Sequence, residues 1–119
     1  IYHRQHKLVD LCKKLNIIVT SFATLGSPAR KEGFGPGEYP DADCLGHPTV
    51  IELAKKYKKS PGQILLRHLI QQNIAVIPKS TNAQRIRDNF NLFDFNIDEA
   101  DMKKFDEEKE DIRLFSFSL

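Results

Sequence analysis

Two short runs of apolar, mostly β-branched residues constrain the fold of this chain more than any other feature. Residues 17–20 (Ile-Ile-Val-Thr) and 74–77 (Ile-Ala-Val-Ile) show no alternation of apolar and polar side chains. Such runs are typical of parallel strands that are covered on both faces, so we predict two parallel strands buried on both sides. Because two strands can neither enclose a core nor cover each other's edges, we also predict a piece of a larger α/β fold.

Helical patterns occupy most of the chain around these two strands. They cover five segments: residues 4–15, 48–57, 61–72, 83–90 and 99–105. Ser60-Pro61, Asn82 and Asp98 are typical of helix starts, because their side chains or fixed backbone suit the first turn. The resulting order is helix, strand, long connection, two helices, strand and two helices. This order predicts an α/β architecture.

A long connection, residues 22–46, follows the first predicted strand. It is rich in glycine and proline, and Phe34 and Tyr39 give it aromatic side chains that can dock on another surface. Connections of more than about 15 residues without secondary structure are usually functional or disordered in a compact domain. We interpret this segment as a loop that covers a bound ligand; a plain linker is the alternative.

The turn after the second predicted strand carries the clearest candidate binding site. Lys79 and Ser80 lie on this turn, Asn82 caps the next helix, and Arg85 lies about one turn into it. The first turn of a helix leaves backbone N–H groups free, and Arg85 can reach back over them. A lysine, an arginine fork and a hydroxyl together suit a phosphate monoester. The alternative is that Lys79 and Arg85 are ordinary surface charges.

The loop after the first predicted strand is a second candidate. Gly26 permits close backbone approach, Ser27 offers a hydroxyl, and Phe22 can lie flat against a planar ring. In α/β barrels the loops after the last two strands often hold a phosphate. Packing within the loop is the simpler explanation when these residues are taken alone.

Composition argues against several functional classes. The 119 residues include 18 Lys plus Arg and 16 Asp plus Glu, a formal charge of +2, which argues against a basic nucleic-acid binder. We expect no membrane span and no signal peptide. The chain starts at Ile1 rather than Met, which suggests that it does not begin where its gene does. Two cysteines, Cys12 and Cys44, fit a reducing compartment, so a cytoplasmic protein is expected.

Histidines and acidic residues predict no metal site. His3, His6 and Asp10 share one helical face, but no further ligand completes the set, so no metal is expected. His68 lies in a very apolar helix and is interpreted as a packing residue. The acidic run 107–111 is interpreted as a solvated helix end.

The residues around both candidate loops resemble one known family, the aldo-keto reductases. The similarity to its C-terminal cofactor signature lies in residues 77–80 (IPKS), Arg85, residues 89–90 (NF) and residues 93–95 (FDF). Residues 19–28 (VTSFATLGSP) resemble the family's loop after the seventh barrel strand, and residues 60–67 match the intervening helix in type. The similarity runs in order from about residue 2 to residue 113. It points to the C-terminal portion of the aldose reductase-like branch.

The resemblance implies a fold and a reaction. The family is a (β/α)₈ TIM barrel that uses NADPH to reduce aldehydes and ketones to alcohols. Residues 1–119 would be a single segment that holds the last two barrel strands and their helices, with residues 22–46 as the cofactor-covering loop. The full-length family acts on small carbonyl substrates, and a monomer is expected.

The resemblance also implies cofactor contacts, residue by residue. Nine positions would bind NADP(H): Lys79, Ser80, Thr81 and Arg85 at the 2′-phosphate, Asp88 and Asn89 at the adenine, Leu25 and Ser27 at the pyrophosphate, and Phe22 at the nicotinamide. Phe22 replaces the usual Tyr, Asp88 replaces the usual Glu, and Ala23-Thr24 replace the usual Ser-Pro. Phe115 and Phe117 lie where the family has its substrate-specificity loop.

The family's catalytic Asp, Tyr, Lys and His belong to the first half of the barrel, and Tyr2, Tyr39 and Tyr57 match none of them. We therefore predict that this chain alone reduces no carbonyl compound. Two alternatives remain open. A non-catalytic NADP- or phosphate-binding module would bind NADPH without turnover, whereas a partner-binding fragment would dock its strand edges on another chain and associate when expressed alone.

Overall fold

A computed structural model describes residues 1–29 and 42–115 of the chain. Its helices and strands follow in this order: α1 (His6–Lys14), β1 (Thr20–Ser21), α2 (Pro48–Tyr57), α3 (Pro61–Ile70), β2 (Ala75–Val76), α4 (Ala83–Phe90) and α5 (Glu99–Lys104). A 3₁₀ turn, Phe105–Glu107, continues α5. This order confirms the predicted α/β arrangement. Residues 30–41 of the predicted covering loop and Phe117 lie outside the described residues, so the role of that loop stays a prediction.

The two strands form a parallel pair, as predicted. Thr20 lies opposite Ala75, and Ser21 lies opposite Val76. Asn73 turns the chain from α3 into β2 with a left-handed φ of 59°, a conformation that asparagine adopts more readily than most residues. Because the strands are parallel, both carboxyl ends lie at the same edge of the pair.

The prediction that both strands are buried on both faces is wrong. Ile17 and Ile18, which precede β1, are 53% and 85% exposed, and Ile77 after β2 is 63% exposed. Ile74, by contrast, is buried. The prediction failed because β-branched residues favour an extended backbone, whereas burial of a strand also requires helices or another sheet packed against its faces. In the described part of the chain, helices cover only some of the strand pair.

The core lies between α2, α3 and the end of α5. Val50 and Leu53 of α2 and Ile64 of α3 are fully buried, and Phe105 joins the same cluster. Full burial of such a side chain stabilises a fold by about 1.5–3 kcal/mol. His68 stacks on Phe105 with 3.8 Å between ring centroids and 20° between planes, which confirms its interpretation as a packing residue.

A reciprocal cap starts α3 and also fixes the position of α4. Ser60 Oγ accepts the N–H of Gln63 at 3.2 Å, and Gln63 Oε1 accepts the N–H of Ser60 at 3.0 Å. The Gln63 amide donates onward to the carbonyl of Asn91 at 2.9 Å, and Arg67 donates to the carbonyl of Leu92 at 3.1 Å. Since these carbonyls directly follow α4, the bonds hold that helix against α3.

A buried carboxylate joins α5 to α2. Asp101 accepts hydrogen bonds from the Lys56 ammonium and, at 2.7 Å, from the Tyr57 hydroxyl. Burial alone would raise the pKa of Asp101, but these donors, together with Lys104, hold the pKa down to about 2. The carboxylate is therefore ionised and anchors α5 at any pH near neutrality.

Several apolar side chains face solvent on α1 and around α4. No residue of α1 is buried, and its leucines Leu8 and Leu11 are both about half exposed. Around α4 the exposed apolar side chains are Ile86, Phe90 and Phe93. No helix in residues 1–29 and 42–115 is long and apolar enough to cross a membrane. An exposed apolar surface of this kind is expected of a piece of a larger α/β fold.

Candidate cofactor-binding site

The parallel register brings the two candidate loops to one edge of the strand pair. Ser21 ends β1 and lies opposite Val76, which ends β2. Phe22 and the loop after it therefore leave the same edge as residues 77–82, which lead into α4. In open α/β sheets, ligands bind at this carboxyl edge.

The turn before α4 is organised by its own side chains. Ser80 Oγ accepts the N–H of Asn82 at 3.1 Å, and Asn82 Oδ1 accepts the N–H of Arg85 at 3.0 Å. The second bond is the helix cap that the sequence predicts. Together the two bonds fix the direction in which the first turn of α4 points.

This turn presents the donors that a phosphate requires. Lys79 and Arg85 are exposed, and neither side chain makes an ion pair or hydrogen bond with any residue that the structure describes. The N–H groups of Ala83 and Gln84 lie in the first turn, where a helix supplies no acceptor. Ser80 Oγ accepts from Asn82 and can still donate its own hydrogen. This donor set fits a phosphate dianion.

Three further predicted residues lie beside the turn or on α4. Arg85, Asp88 and Asn89 are spaced by three and four residues and so share one face of the helix. Asp88 is half-buried and accepts a hydrogen bond from Gln84 at 2.9 Å, and Asn89 is half-buried too. Thr81 is exposed. The structure thus brings the predicted 2′-phosphate and adenine residues together on one helix and the turn before it.

The loop after β1 is compact, and its backbone is strained at two positions. Thr24 Oγ1 lies 2.8 Å from Ser21 Oγ, and Ala23 and Ser27 take positive φ values of 51° and 49°. Non-glycine residues rarely adopt this conformation, and it clusters at binding sites and switch regions. Phe22 is 57% exposed at the start of this loop. More than half of this side chain is therefore accessible to a ligand.

Two residues of this loop face the core rather than a ligand. Leu25 packs against the buried cluster, and a Cβ on Gly62 would lie 3.9 Å from it. Gly26 has a φ of 81°, and a Cβ there would come within 3.1 Å of Cys44 Sγ. The close approach expected at Gly26 is thus to Cys44. The side chain of Leu25 belongs to the core, which leaves its backbone for any contact with a pyrophosphate.

A cavity of about 350 Å³ lies next to Phe22 and away from Lys79. Its walls come from α1, β1, α3 and the C-terminal segment, with Leu8, Leu69, His68 and Phe115 among them. The sequence did not predict this cavity. The cavity depends on how loosely α1 packs on the rest of the chain, and a residue pattern does not indicate packing of this kind. The apolar side chains of Ile112, Leu114 and Phe115 were the available signal.

The prediction that residues 107–111 form a solvated helix end is confirmed except at Glu108: the other four residues are exposed, whereas Glu108 is half-buried. The 3₁₀ turn ends at Glu107, and the carboxylates of Glu108 and Asp111 bond to His47 at 2.6 Å and to His3 at 2.5 Å. Histidines elsewhere in the chain supply the partners, which local sequence cannot show. No group of three potential metal ligands occurs within residues 1–29 and 42–115.

Comparison with known proteins places these features in one family. The model of the aldo/keto reductase family matches residues 1–110. The 9,11-endoperoxide prostaglandin H2 reductase of Trypanosoma cruzi is 41% identical over 111 residues, which cover 93% of this chain and 35% of the relative. Aldo-keto reductase family 1 member A1 of Gallus gallus is 41% identical over 102 residues, or 85% of this chain and 30% of the relative.

A primate relative extends the match to nearly the whole chain. Aldo-keto reductase family 1 member C1 of Pongo abelii is 35% identical over 118 residues, which cover 99% of this chain and 36% of the relative. The chain therefore spans about a third of the length of the curated relatives that it matches.

Proposed function

Because the chain belongs to the aldo/keto reductase family, we propose that residues 1–119 form the NADP(H)-binding, C-terminal part of a (β/α)₈-barrel carbonyl reductase. The reaction of the whole protein would be the NADPH-dependent reduction of small aldehydes and ketones to alcohols. One observation carries the proposal: Lys79 and Arg85, which pair with no residue that the structure describes, lie at the first turn of α4, where the N–H groups of Ala83 and Gln84 have no helical acceptor.

The 2′-phosphate of NADPH is the group that fits this turn. Lys79 contributes a point charge, Arg85 a planar fork, and Ser80 a hydroxyl whose oxygen is already oriented by the N–H of Asn82 at 3.1 Å. The N-terminus of α4 adds the positive end of its dipole. NADH lacks this phosphate, so the same turn would select NADPH over NADH.

The adenine and pyrophosphate contacts are proposed at neighbouring positions. Asn89 lies one helical turn beyond Arg85 and would donate to the adenine, with Asp88 and the backbone of Thr81 beside it. Asp88 reaches less far than the usual Glu, and its carboxylate already accepts from Gln84 at 2.9 Å. Its contribution is therefore expected to be the smallest of the set.

Phe22 is proposed to orient the nicotinamide. Aromatic rings stack at centroid distances of about 4.5–7 Å, and an exposed ring at the carboxyl edge is placed for such a contact. Leu25, through its backbone, and Ser27 would contact the pyrophosphate between the two ends. Bound NADPH would supply the hydride for carbonyl reduction.

We expect this chain alone to show no carbonyl reduction, because none of its residues matches the family's catalytic Asp, Tyr, Lys and His. The measurement is NADPH oxidation at 340 nm with a reactive aldehyde such as a nitrobenzaldehyde. Oxidation that exceeds the protein-free blank and scales with chain concentration would contradict the expectation.

Substitution of Lys79 tests the phosphate site. We expect Lys79→Met to weaken NADPH binding about tenfold or more, since hydrogen bonds to charged groups carry this much free energy, and to leave NADH binding unchanged. Isothermal titration calorimetry measures both affinities. Lys55→Met is the matched control, because Lys55 is exposed on α2, away from the turn. Equal effects of Lys79→Met on both cofactors would refute the assignment.

A further inference from the structure

The C-terminal segment, residues 105–115, is bound along its length by residues from distant parts of the chain; we call it the C-terminal strap. The Arg4 guanidinium donates to the carbonyl of Phe105 at 2.5 Å, to the carboxylate of Asp106 at 2.6 Å and to the carbonyl of Glu108 at 3.1 Å. His3 holds Asp111 further along the strap. The first half of the strap is thus anchored by Arg4, independently of any histidine.

His47 forms the central contact, and both of its ring nitrogens are used. Nδ1 accepts the N–H of Thr49 at 3.2 Å, which caps α2. Since Nδ1 is an acceptor, the hydrogen of the neutral ring lies on Nε2, which donates to Glu108 Oε2 at 2.6 Å. The rings of Tyr2 and His47 pack edge to face, with 5.6 Å between centroids. One imidazole therefore joins the start of α2 to the strap.

Glu108 is held as a carboxylate by two donors. Its Oε1 accepts the N–H of Glu110 at 2.7 Å, and its Oε2 accepts from His47. The Glu110 N–H and the His47 ring hold the pKa of Glu108 below its usual range. The side chains of His47 and Glu108 are only 10% and 16% exposed, so water competes little for this bond.

The strap ends on the aromatic ring that follows β1. Leu114 lies beside Gly26, where a Cβ would come within 3.6 Å of it. The rings of Phe115 and Phe22 are 5.3 Å apart between centroids, with 59° between planes. This geometry is that of a favourable tilted aromatic pair. The strap therefore contacts Phe22, while 57% of the Phe22 side chain stays exposed.

We propose that His47 and Glu108 latch the C-terminal strap, and that the latched strap presses Phe115 against Phe22 and so sets the orientation of the Phe22 ring. His47 and Glu108 are positioning residues: they act on Phe22 through the strap. The consequence for the cofactor rests on the proposed function, because it requires Phe22 to receive the nicotinamide. The seating of the strap does not depend on that function.

Fluorescence tests the latch directly. The chain has no tryptophan, so Phe115→Trp adds a single reporter at the end of the strap. We expect Glu108→Ala in this background to shift the emission to longer wavelength and to increase quenching by acrylamide. Glu107→Ala is the matched control, because it removes the same charge from an exposed side chain. Identical emission in the parent and both variants would overturn the proposal.

A second variant keeps the test decisive if Glu108→Ala unfolds the chain. His47→Asn preserves a capping acceptor for Thr49 but is too short to reach Glu108. It should reproduce the emission change while the helical circular dichroism stays that of the parent. Unchanged emission in folded His47→Asn would overturn the proposal.

Binding of two ligands distinguishes a role in positioning Phe22 from a general loss of structure. Adenosine 2′,5′-bisphosphate carries the 2′-phosphate and lacks the nicotinamide. We expect Glu108→Ala to weaken NADPH binding about threefold to tenfold and to leave binding of the bisphosphate unchanged. Equal weakening of both ligands would overturn the positioning role. If neither ligand binds the parent chain, the proposed function fails, and the emission experiment still decides whether the strap is latched.

Discussion

At the scale of single residues, contacts between residues close in sequence were predictable, whereas contacts between distant segments were not. Lys79, Ser80, Asn82 and Arg85 lie within seven positions, and the cap from Asn82 to Arg85 follows from helix geometry alone. His47 and Glu108 are 61 positions apart, and no local pattern pairs them. The candidate phosphate site could therefore be predicted from the sequence, whereas the latch required the fold.

His68 predicts a loss of stability in mild acid. Burial lowers the pKa of His68 to about 3, against about 6.5 in an unfolded chain. Below pH 6.5 His68 binds a proton in the unfolded state but not in the folded state. Its contribution to the free energy of unfolding is therefore fully present above this pH and is lost between about pH 6.5 and 3. We expect a loss of about 2 kcal/mol between pH 7 and pH 5 from this residue. Urea unfolding at both pH values measures the loss.

His68→Phe isolates this contribution. The substitution keeps a ring against Phe105, which lies 3.8 Å from the His68 ring, and removes the titration. The variant should lose clearly less stability than the parent between pH 7 and pH 5. Asp101 does not interfere, because its pKa of about 2 places its effect in stronger acid. Parallel losses in parent and variant would refute the role of His68.

At the scale of elements, helices were predicted better than strands. Short local sequences such as Ser60-Pro61 mark where helices begin. Accordingly, α2 and α4 occupy the segments predicted for them. β1 and β2 are shorter than the runs that predicted them and less covered. A helix satisfies its backbone within itself, but a strand needs neighbours, and its burial depends on layers that residues 17–20 and 74–77 do not encode.

The capping box of α3 makes a prediction about this element. Ser60→Ala removes the acceptor of the Gln63 N–H, which is 3.2 Å away, and we expect a loss of about 1 kcal/mol in the free energy of unfolding. Ser60→Asp should retain most of the stability, because aspartate is an equally good N-cap. Thermal unfolding followed by circular dichroism compares the variants. A melting temperature of Ser60→Ala equal to that of the parent would show that the cap is dispensable.

At the scale of the whole molecule, the candidate cofactor site lies on a chain that leaves much apolar surface exposed. Its core lies mainly between α2, α3 and the end of α5, with Cys44 and Ile97 beside them, while α1 has no buried residue. Phe90, at the end of α4, and Phe93, just after this helix, are 81% and 71% exposed. The fold class was predictable because two parallel strands imply further ones. Two strands also leave much of their surface exposed, and the remaining strands and helices of a barrel would cover it.

The most direct test of the central claim is the thermal unfolding of this chain, alone and with saturating NADPH or NADH. A ligand present at 100 times its dissociation constant adds about 2.7 kcal/mol to the stability of the folded state. We expect a cooperative transition that NADPH moves to higher temperature and NADH moves much less, because only NADPH carries the phosphate that Lys79, Ser80 and Arg85 would bind. Equal shifts with both cofactors, or the absence of a cooperative transition, would contradict it.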